Sequence, residues 1–153
     1  MLAVGSKAPE VAGALDDGTG FILSEALAEK NVVLYFYPRD FTPGCTKEAC
    51  AFRDNYAAIG EYGAMIVGVS ADSADRHSTF RESLKLPFPL LADPEHKVID
   101  AYDARGLFGF STARVTYVID RQATIRAAIR HDLNIGAHVP EVLAALAKIE
   151  LPA

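Results

Sequence analysis

The chain contains two cysteines, Cys45 and Cys50, and both lie in the stretch PRDFTPGCTKEAC, residues 38–50. A cysteine nucleophile acts as the thiolate, but an ordinary thiol, with a pKa of about 8.5, is mostly protonated at neutral pH. A helix N-terminus or a nearby cation favours the thiolate form. A cysteine that begins a helix is therefore a candidate nucleophile.

The residues before Cys45 have the pattern of a helix start. Thr42 is a typical N-cap residue, and Pro43 suits the first helical position. Cys45 would then be third in the helix, beside backbone N–H groups that lack helical partners. We predict that Cys45 is the nucleophile, that the Thr42 hydroxyl caps the helix while donating to a bound oxygen or the sulfur, and that Pro43 shields the thiolate. An ordinary helix start with a small buried cysteine has the same local pattern.

Cys50 lies five residues further along the same predicted helix. In an intact helix this spacing separates the two Cα atoms by about 8 to 9 Å. A disulfide needs a separation below about 7 Å. Either the two cysteines never form a disulfide, and Cys50 is only a buried apolar residue, or the first turns of the helix unwind before they do.

Strands and helices alternate through the middle of the sequence. The apolar segment Asn31–Tyr37 does not alternate with polar residues, which predicts a strand covered on both faces. The cysteine helix should continue to Ile59, and Ser24 should cap a short helix over Glu25–Glu29. Further strands are expected at 64–70, 90–92 and 115–119, helices at 73–84 and from Pro140, and hairpins at 11–23 and 115–130. The pattern indicates one α/β domain, residues 1–153, with a mixed sheet.

Composition excludes several classes of function. A net charge of −5 without a Lys/Arg cluster argues against nucleic-acid binding. Apolar runs of about six residues are too short to cross a membrane. The N-terminus lacks the pattern of a secretory signal, and two cysteines do not form a disulfide scaffold. We therefore expect a cytoplasmic protein with reduced thiols.

Other uses of the two cysteines remain open at this level. The Cys-x4-Cys spacing and four scattered histidines do not form a metal motif, so no metal is expected. A histidine-activated cysteine hydrolase has no local motif in its favour but is not excluded. A thiol-disulfide exchanger or redox-regulated binding protein would use the same cysteine pair, although Cys-x2-Cys would be more typical. A structural domain with two inert cysteines is the remaining alternative.

The motif Pro38-x3-Thr42-x2-Cys45 resembles that of the peroxiredoxins. The longer stretch FYPRDFTPGCTKEACAFRDNY resembles the bacterioferritin comigratory protein, or peroxiredoxin Q, subfamily, in which a second cysteine follows five residues after the first. The likeness continues through VGVSADS, LPFPLLADPEHKV and RVTYVID, and so covers nearly the whole chain. It implies a thioredoxin-like fold: a mixed central sheet flanked by helices, with an N-terminal β-hairpin.

The resemblance also implies roles for individual residues. Cys45 would be the peroxidatic cysteine and Cys50 the resolving cysteine. Arg114, at the start of RVTYVID, matches the active-site arginine of the family, whereas its position alone would indicate a solvated arginine at a strand start. The other residues at the peroxide site would be Pro38, Thr42, Pro43 and Gly44.

The implied reaction is the reduction of hydrogen peroxide or organic hydroperoxides. Cys45 would become a sulfenic acid, Cys50 would condense with it, and thioredoxin or a glutaredoxin-type reductant would reduce the disulfide. Neither a metal nor an organic cofactor is needed, and the resemblance allows a monomer or a weak homodimer. The loop at 106–111 would offer Phe108 and Phe110 as an apolar face for alkyl hydroperoxides, or would be an ordinary surface loop.

Overall fold

A mixed seven-stranded sheet lies at the centre of the protein. The computed structural model describes residues 1–109 and 111–149. No helix in these ranges has the length and apolar character needed to cross a membrane. The elements follow in chain order: β1 (Ala12–Leu15), β2 (Gly20–Ile22), α1 (Leu23–Leu27), β3 (Asn31–Phe36), α2 (Pro43–Asp54), α3 (Tyr56–Glu61), β4 (Ala64–Ser70), α4 (Ala74–Leu84), β5 (Leu90–Ala92), α5 (Lys97–Ala101), β6 (Val115–Ile119), β7 (Ile125–Arg130) and α6 (His138–Ala147), with short 3-10 turns at Leu107–Gly109 and Ile135–Ala137.

The strand order is β2-β1-β5-β4-β3-β6-β7. Strands β3, β4 and β5 are parallel, while the pairs β1–β2, β1–β5, β3–β6 and β6–β7 are antiparallel. The α/β architecture, the mixed sheet and the two hairpins predicted from the sequence are therefore confirmed.

Strand β3 is central, and all six of its residues are buried. Alternate side chains enter two separate apolar cores, because successive residues of a strand point to opposite faces of the sheet. Val32 and Leu34 pack on the side that contains α1 and α5. Val33 and Tyr35 pack on the side that contains α2, α4 and α6. The prediction that both faces of this strand are covered is confirmed.

The helix that begins at Pro43 is shorter than predicted. A single helix to Ile59 was expected, but α2 ends at Asp54 and α3 begins at Tyr56. Asn55 lies between them with φ −110° and ψ 12°, and its side-chain amide donates to the carbonyl of Ala51 at 2.8 Å. Asparagine breaks the helix here because its side chain competes for backbone groups that the helix would use.

Two other helix starts also differ from the predictions. Ser24 is not the cap of α1, because the helix begins at Leu23, two residues before the predicted start, and its N-cap, Ile22, makes no side-chain capping bond. The backbone N–H of Ser24 instead donates to the Glu10 carboxylate. Helix α6 begins at His138, so Pro140 is its third residue. Proline is tolerated there because first-turn N–H groups have no helical partner.

The register of β3 and β6 determines where the site lies. Phe36, the last residue of β3, pairs with Val115, the first residue of β6. The segment 37–42 continues from β3, and Arg114 directly precedes β6. The two parts of the sequence therefore meet at one edge of the sheet, next to the start of α2.

Candidate active site

Cys45 is the third residue of α2, as the sequence predicts. Thr42 is the N-cap residue with φ −82° and ψ 152°, and Pro43 follows as the first helical residue. The first helical hydrogen bond runs from Thr46 N–H to the carbonyl of Thr42, at 2.9 Å. The N–H groups of Gly44 and Cys45 therefore precede the helical ladder and provide donors beside the thiol. Cys45 is 1% exposed.

The Thr42 hydroxyl has a different partner from the one predicted. It makes no capping bond and donates to the carbonyl of Arg39 at 2.9 Å. The expected side-chain cap is wrong, because the hydroxyl turns back toward the loop that precedes the helix. Its interaction with a bound oxygen or with the sulfur stays a prediction.

Arg114 extends from the start of β6 to the first turn of α2. Its side chain is largely buried, and its backbone N–H donates to Asp132 at 3.0 Å. A Cβ atom on Gly44 would lie only 2.7 Å from Nη2 of Arg114. The guanidinium thus lies against the backbone of Gly44, next to Cys45, and Arg114 is not the solvated arginine that its position alone would indicate.

Glu48 is a site residue that the sequence analysis did not identify. It is 1% exposed, and its Oε1 accepts from Nη1 of Arg114 at 3.3 Å. Its other oxygen has no hydrogen-bond partner among the described residues and lies 3.5 Å from Nε2 of His138. The available signal was its spacing, since residues three apart share a helix face and Glu48 follows Cys45 by three. The burial of the helix face that carries Cys45 and Glu48 becomes visible only in the folded structure.

Burial shifts the pKa values of two groups near Arg114, Glu48 and His138. Burial raises the pKa of Glu48 to about 7, although the guanidinium of Arg114 acts in the opposite direction. Burial also lowers the pKa of His138. Near neutral pH the Glu48 carboxyl is therefore only partly ionised, so it neutralises only part of the Arg114 charge. Glu48 therefore leaves part of the Arg114 charge uncompensated, and that guanidinium lies against the first turn of α2.

Cys50 lies on the same uninterrupted helix as Cys45. It is half-buried, and both cysteines are free thiols. Five residues of helix separate them by a rise of about 7.5 Å along the axis. A disulfide between them therefore requires α2 to unwind, as the spacing predicts.

The remaining predicted residues form the surroundings of the first turn. Pro38 is half-buried in the segment before Thr42, and Pro43 is exposed at the helix start. Leu107 and Phe108 are 76% and 92% exposed. Phe110 lies outside the described residues, so an apolar face for alkyl hydroperoxides stays a prediction.

Comparison with known proteins identifies the family. Residues 4–128 match the AhpC/TSA family. The chain is 41% identical to peroxiredoxin Bcp of Bacillus subtilis over 151 residues, covering 95% of each chain.

Solved structures support the same assignment. The crystal structure of peroxidoxin BcpB from Mycobacterium tuberculosis superposes with a TM-score of 0.91 at 35% identity, covering 98% of this chain and 99% of that one. A Xanthomonas campestris bacterioferritin comigratory protein, described for its alkyl peroxide reduction activity, superposes with a TM-score of 0.82 at 31% identity over 90% of each chain. The expected thioredoxin-like fold is confirmed. The chain therefore belongs to the AhpC/TSA family, within the Bcp and peroxiredoxin Q group of peroxiredoxins, and is a peroxidase of the oxidoreductase class.

Proposed function

We propose that this chain reduces hydrogen peroxide and organic hydroperoxides with Cys45 as the peroxidatic residue. The observation that carries the proposal is the position of Arg114, whose guanidinium lies against Gly44 in the first turn that holds Cys45. The thiol, a cation and unpaired backbone N–H groups are thereby brought to one helix start.

In the first step the Cys45 thiolate attacks one oxygen of the hydroperoxide. An S–O bond forms, the O–O bond breaks, and the leaving oxygen takes the electron pair and a proton to become water or an alcohol. Donors already placed at the leaving oxygen lower the barrier because negative charge develops there. Arg114 and the N–H groups of the helix start supply them, and Thr42 is a third donor if its hydroxyl turns from Arg39 to the substrate.

In the second step Cys50 attacks the Cys45 sulfenic acid. The two sulfurs form a disulfide, and the sulfenic oxygen leaves as water. Helix α2 unwinds first, because the intact helix holds the two Cα atoms farther apart than a disulfide allows.

The cycle closes when a dithiol reduces the Cys45–Cys50 disulfide. The family implies a thiol reductant, and we propose thioredoxin or a glutaredoxin-type protein for this role. The electrons come from thiols throughout, so the proposed cycle uses neither a metal nor an organic cofactor. A cytoplasmic location fits this need for reduced thiols, and the domain would act as a monomer or weak homodimer.

The test is peroxide consumption coupled to thioredoxin and thioredoxin reductase. We expect Cys45→Ser to abolish turnover, because no thiolate remains to attack the peroxide. Cys50→Ser should still form a sulfenic acid at Cys45 that can be trapped, but should lose recycling by thioredoxin.

Each variant can contradict a different part of the proposal. Undiminished turnover in Cys45→Ser would exclude Cys45 as the peroxidatic residue. Normal recycling in Cys50→Ser would exclude the intrachain disulfide and assign resolution to an external thiol.

A further inference from the structure

A second buried polar cluster lies directly before the Cys45 site, and the mechanism above does not use it. The Asp40 side chain is fully buried in the segment between β3 and α2. Its Oδ1 accepts from the hydroxyl of Tyr37 at 2.6 Å, and its Oδ2 lies 2.6 Å from Nδ1 of His77 on α4. Both oxygens of this carboxyl are therefore occupied within the protein.

The partners of His77 determine where the protons lie. Nε2 of His77 is 3.0 Å from the carbonyl of Leu91, which only accepts. Nε2 must therefore carry a proton, and Nδ1 faces the Asp40 carboxyl. The contact of 2.6 Å holds a proton between Nδ1 and Oδ2, whether it belongs to an imidazolium or to a protonated Asp40. Because both side chains are fully buried, losing one partner would leave the other uncompensated.

The backbone of Asp40, like its side chain, makes two hydrogen bonds to other side chains. Its N–H donates to Oδ2 of Asp72 at 2.9 Å, and its carbonyl accepts from Nη2 of Arg76 at 3.2 Å. Arg76 and Asp72 form an ion pair at 3.1 Å. Asp72 lies between β4 and α4 and Arg76 lies in the first turn of α4. Both are outside the helix that must unwind, so unwinding of α2 would leave them in place.

The residue after Asp40 has a strained backbone. Phe41 has φ 66°, a left-handed conformation that a bulky residue rarely adopts. Its ring packs edge-on against Phe80 at 5.1 Å and lies 5.2 Å from the guanidinium of Arg76. Thr42 is the next residue in the chain, so the orientation of its side chain depends on the backbone conformation of Asp40 and Phe41.

Asp40, Asp72 and His77 also lie close enough together to suggest a cation site. Their ligand atoms are already engaged within the protein. Besides the Asp40–His77 contact, Oδ2 of Asp72 accepts from the Ser70 hydroxyl at 2.5 Å, and Oδ1 pairs with Arg76. These ligand atoms have their hydrogen-bond partners without an ion. Their contacts connect the segment 37–42, which precedes α2, to α4.

We propose that Asp40 and His77 are positioning residues for the peroxide step, an inference that rests on the proposed function. The pair fixes the loop that presents Thr42 to the first turn of α2. It also marks the N-terminal limit of unwinding, so that the chain opens after Asp40 while the loop before it stays attached to α4.

Two substitutions of His77 separate its two contacts. The amide nitrogen of asparagine is bonded to Cγ, as Nδ1 of histidine is, so His77→Asn keeps a donor toward Asp40 and loses the contact with Leu91. The longer His77→Gln places its amide nearer to Leu91 and loses the contact with Asp40. Each variant gives up one buried hydrogen bond, but only His77→Gln also removes the partner of the buried Asp40 carboxyl.

Oxidation of Cys45 is measured in a Cys50→Ser background, by rapid quenching and mass spectrometry. We expect His77→Gln to slow this step by roughly ten- to a hundredfold, because a displacement of about 1 Å at a reacting group has effects of this size. His77→Asn should stay close to the parent rate. With Cys50 restored, disulfide formation in His77→Gln should be no slower than in wild type, because the helix opens after Asp40.

Equal rates of Cys45 oxidation in the two variants would overturn the inference, as would a parallel loss of both steps in His77→Gln. If His77→Gln fails to fold, Tyr37→Phe replaces it. This variant removes one hydrogen bond from Asp40, should slow oxidation but not disulfide formation, and overturns the inference if it slows neither or both. Failure of the proposed function is distinguishable, because Cys45 of the parent protein would then not react with peroxide.

Discussion

Glu48→Gln tests whether ionisation of the buried Glu48 carboxyl, which contacts Arg114, lowers the free energy of unfolding. Glu48 is fully buried: one carboxylate oxygen accepts from Arg114, and the other makes no hydrogen bond within residues 1–109 and 111–149. Glutamine has nearly the same shape and keeps an oxygen that can accept from Arg114, but it cannot ionise. The substitution therefore removes the titration of this group and leaves the packing of α2 nearly unchanged.

The magnitude follows from the pKa of Glu48, which burial raises from 4.5 to about 7 despite the opposing charge of Arg114. Between these values the folded protein binds more protons than the unfolded chain, so stability falls as pH rises. A shift of this size corresponds to about 3 kcal/mol at 1.36 kcal/mol per pKa unit. This stabilisation is present below pH 4.5 and is lost as pH rises through about 7.

The measurement is urea unfolding of the reduced protein at a series of pH values from about 5 to about 8. We expect the free energy of unfolding of wild type to fall relative to Glu48→Gln by most of those 3 kcal/mol across this range. Glu61→Gln, at an exposed position on α3, is the control for the loss of one negative charge.

Two outcomes would refute this reasoning. A difference between wild type and Glu48→Gln that is constant with pH would mean that burial does not shift the carboxyl. A wild type that gains stability over the variant as pH rises would mean that Arg114 stabilises the carboxylate by more than burial costs. In either case the Arg114 charge would be more fully neutralised near pH 7 than we infer.

Three glycine substitutions test the geometry at other points. Gly44→Ala would place a Cβ atom 2.7 Å from Nη2 of Arg114 and displace the guanidinium, so peroxide consumption in stopped flow should slow by roughly a hundredfold; an unchanged rate would mean that the peroxide step does not depend on this contact between Arg114 and Gly44. Gly68→Ala would place Cβ 2.9 Å from the Tyr35 ring and should cost about 1 to 3 kcal/mol in urea unfolding. Gly60→Ala, on α3, would place a Cβ atom more than 4 Å from every described atom beyond its chain neighbours and its own helix backbone, and should instead stabilise by about 0.5 to 1 kcal/mol; a loss of stability there would contradict the open space around it.

Features that depend on residues close together in the chain could be predicted from the sequence. Thr42 and Pro43 identify the start of α2 because the residue preferences of the N-cap position and the fixed φ of proline are local effects. The continuous apolar run of β3 indicates burial on both faces, since strand side chains alternate between them. The position of Cys45 in the first turn follows from this local pattern, and so does its separation from Cys50.

Local patterns also led to wrong predictions, two of which concern the start and the end of α2. Asn55 interrupts the predicted helix, and its side-chain amide competes with its own backbone N–H for the carbonyl of Ala51. The Thr42 hydroxyl turns to Arg39 and does not cap the helix. Both cases are competitions between hydrogen bonds of similar energy, and composition alone does not decide between them.

The amino-acid sequence alone is enough to predict the chemistry of this protein: a cysteine at a helix start, a second cysteine five residues on, and the motif of a family. The surroundings of the two cysteines follow from the tertiary fold. It brought Arg114 over Gly44 through the register of β3 and β6, and it buried Glu48 behind the guanidinium. These contacts join residues far apart in the chain, and their charge states depend on burial, which exists only once the sheet and helices are assembled.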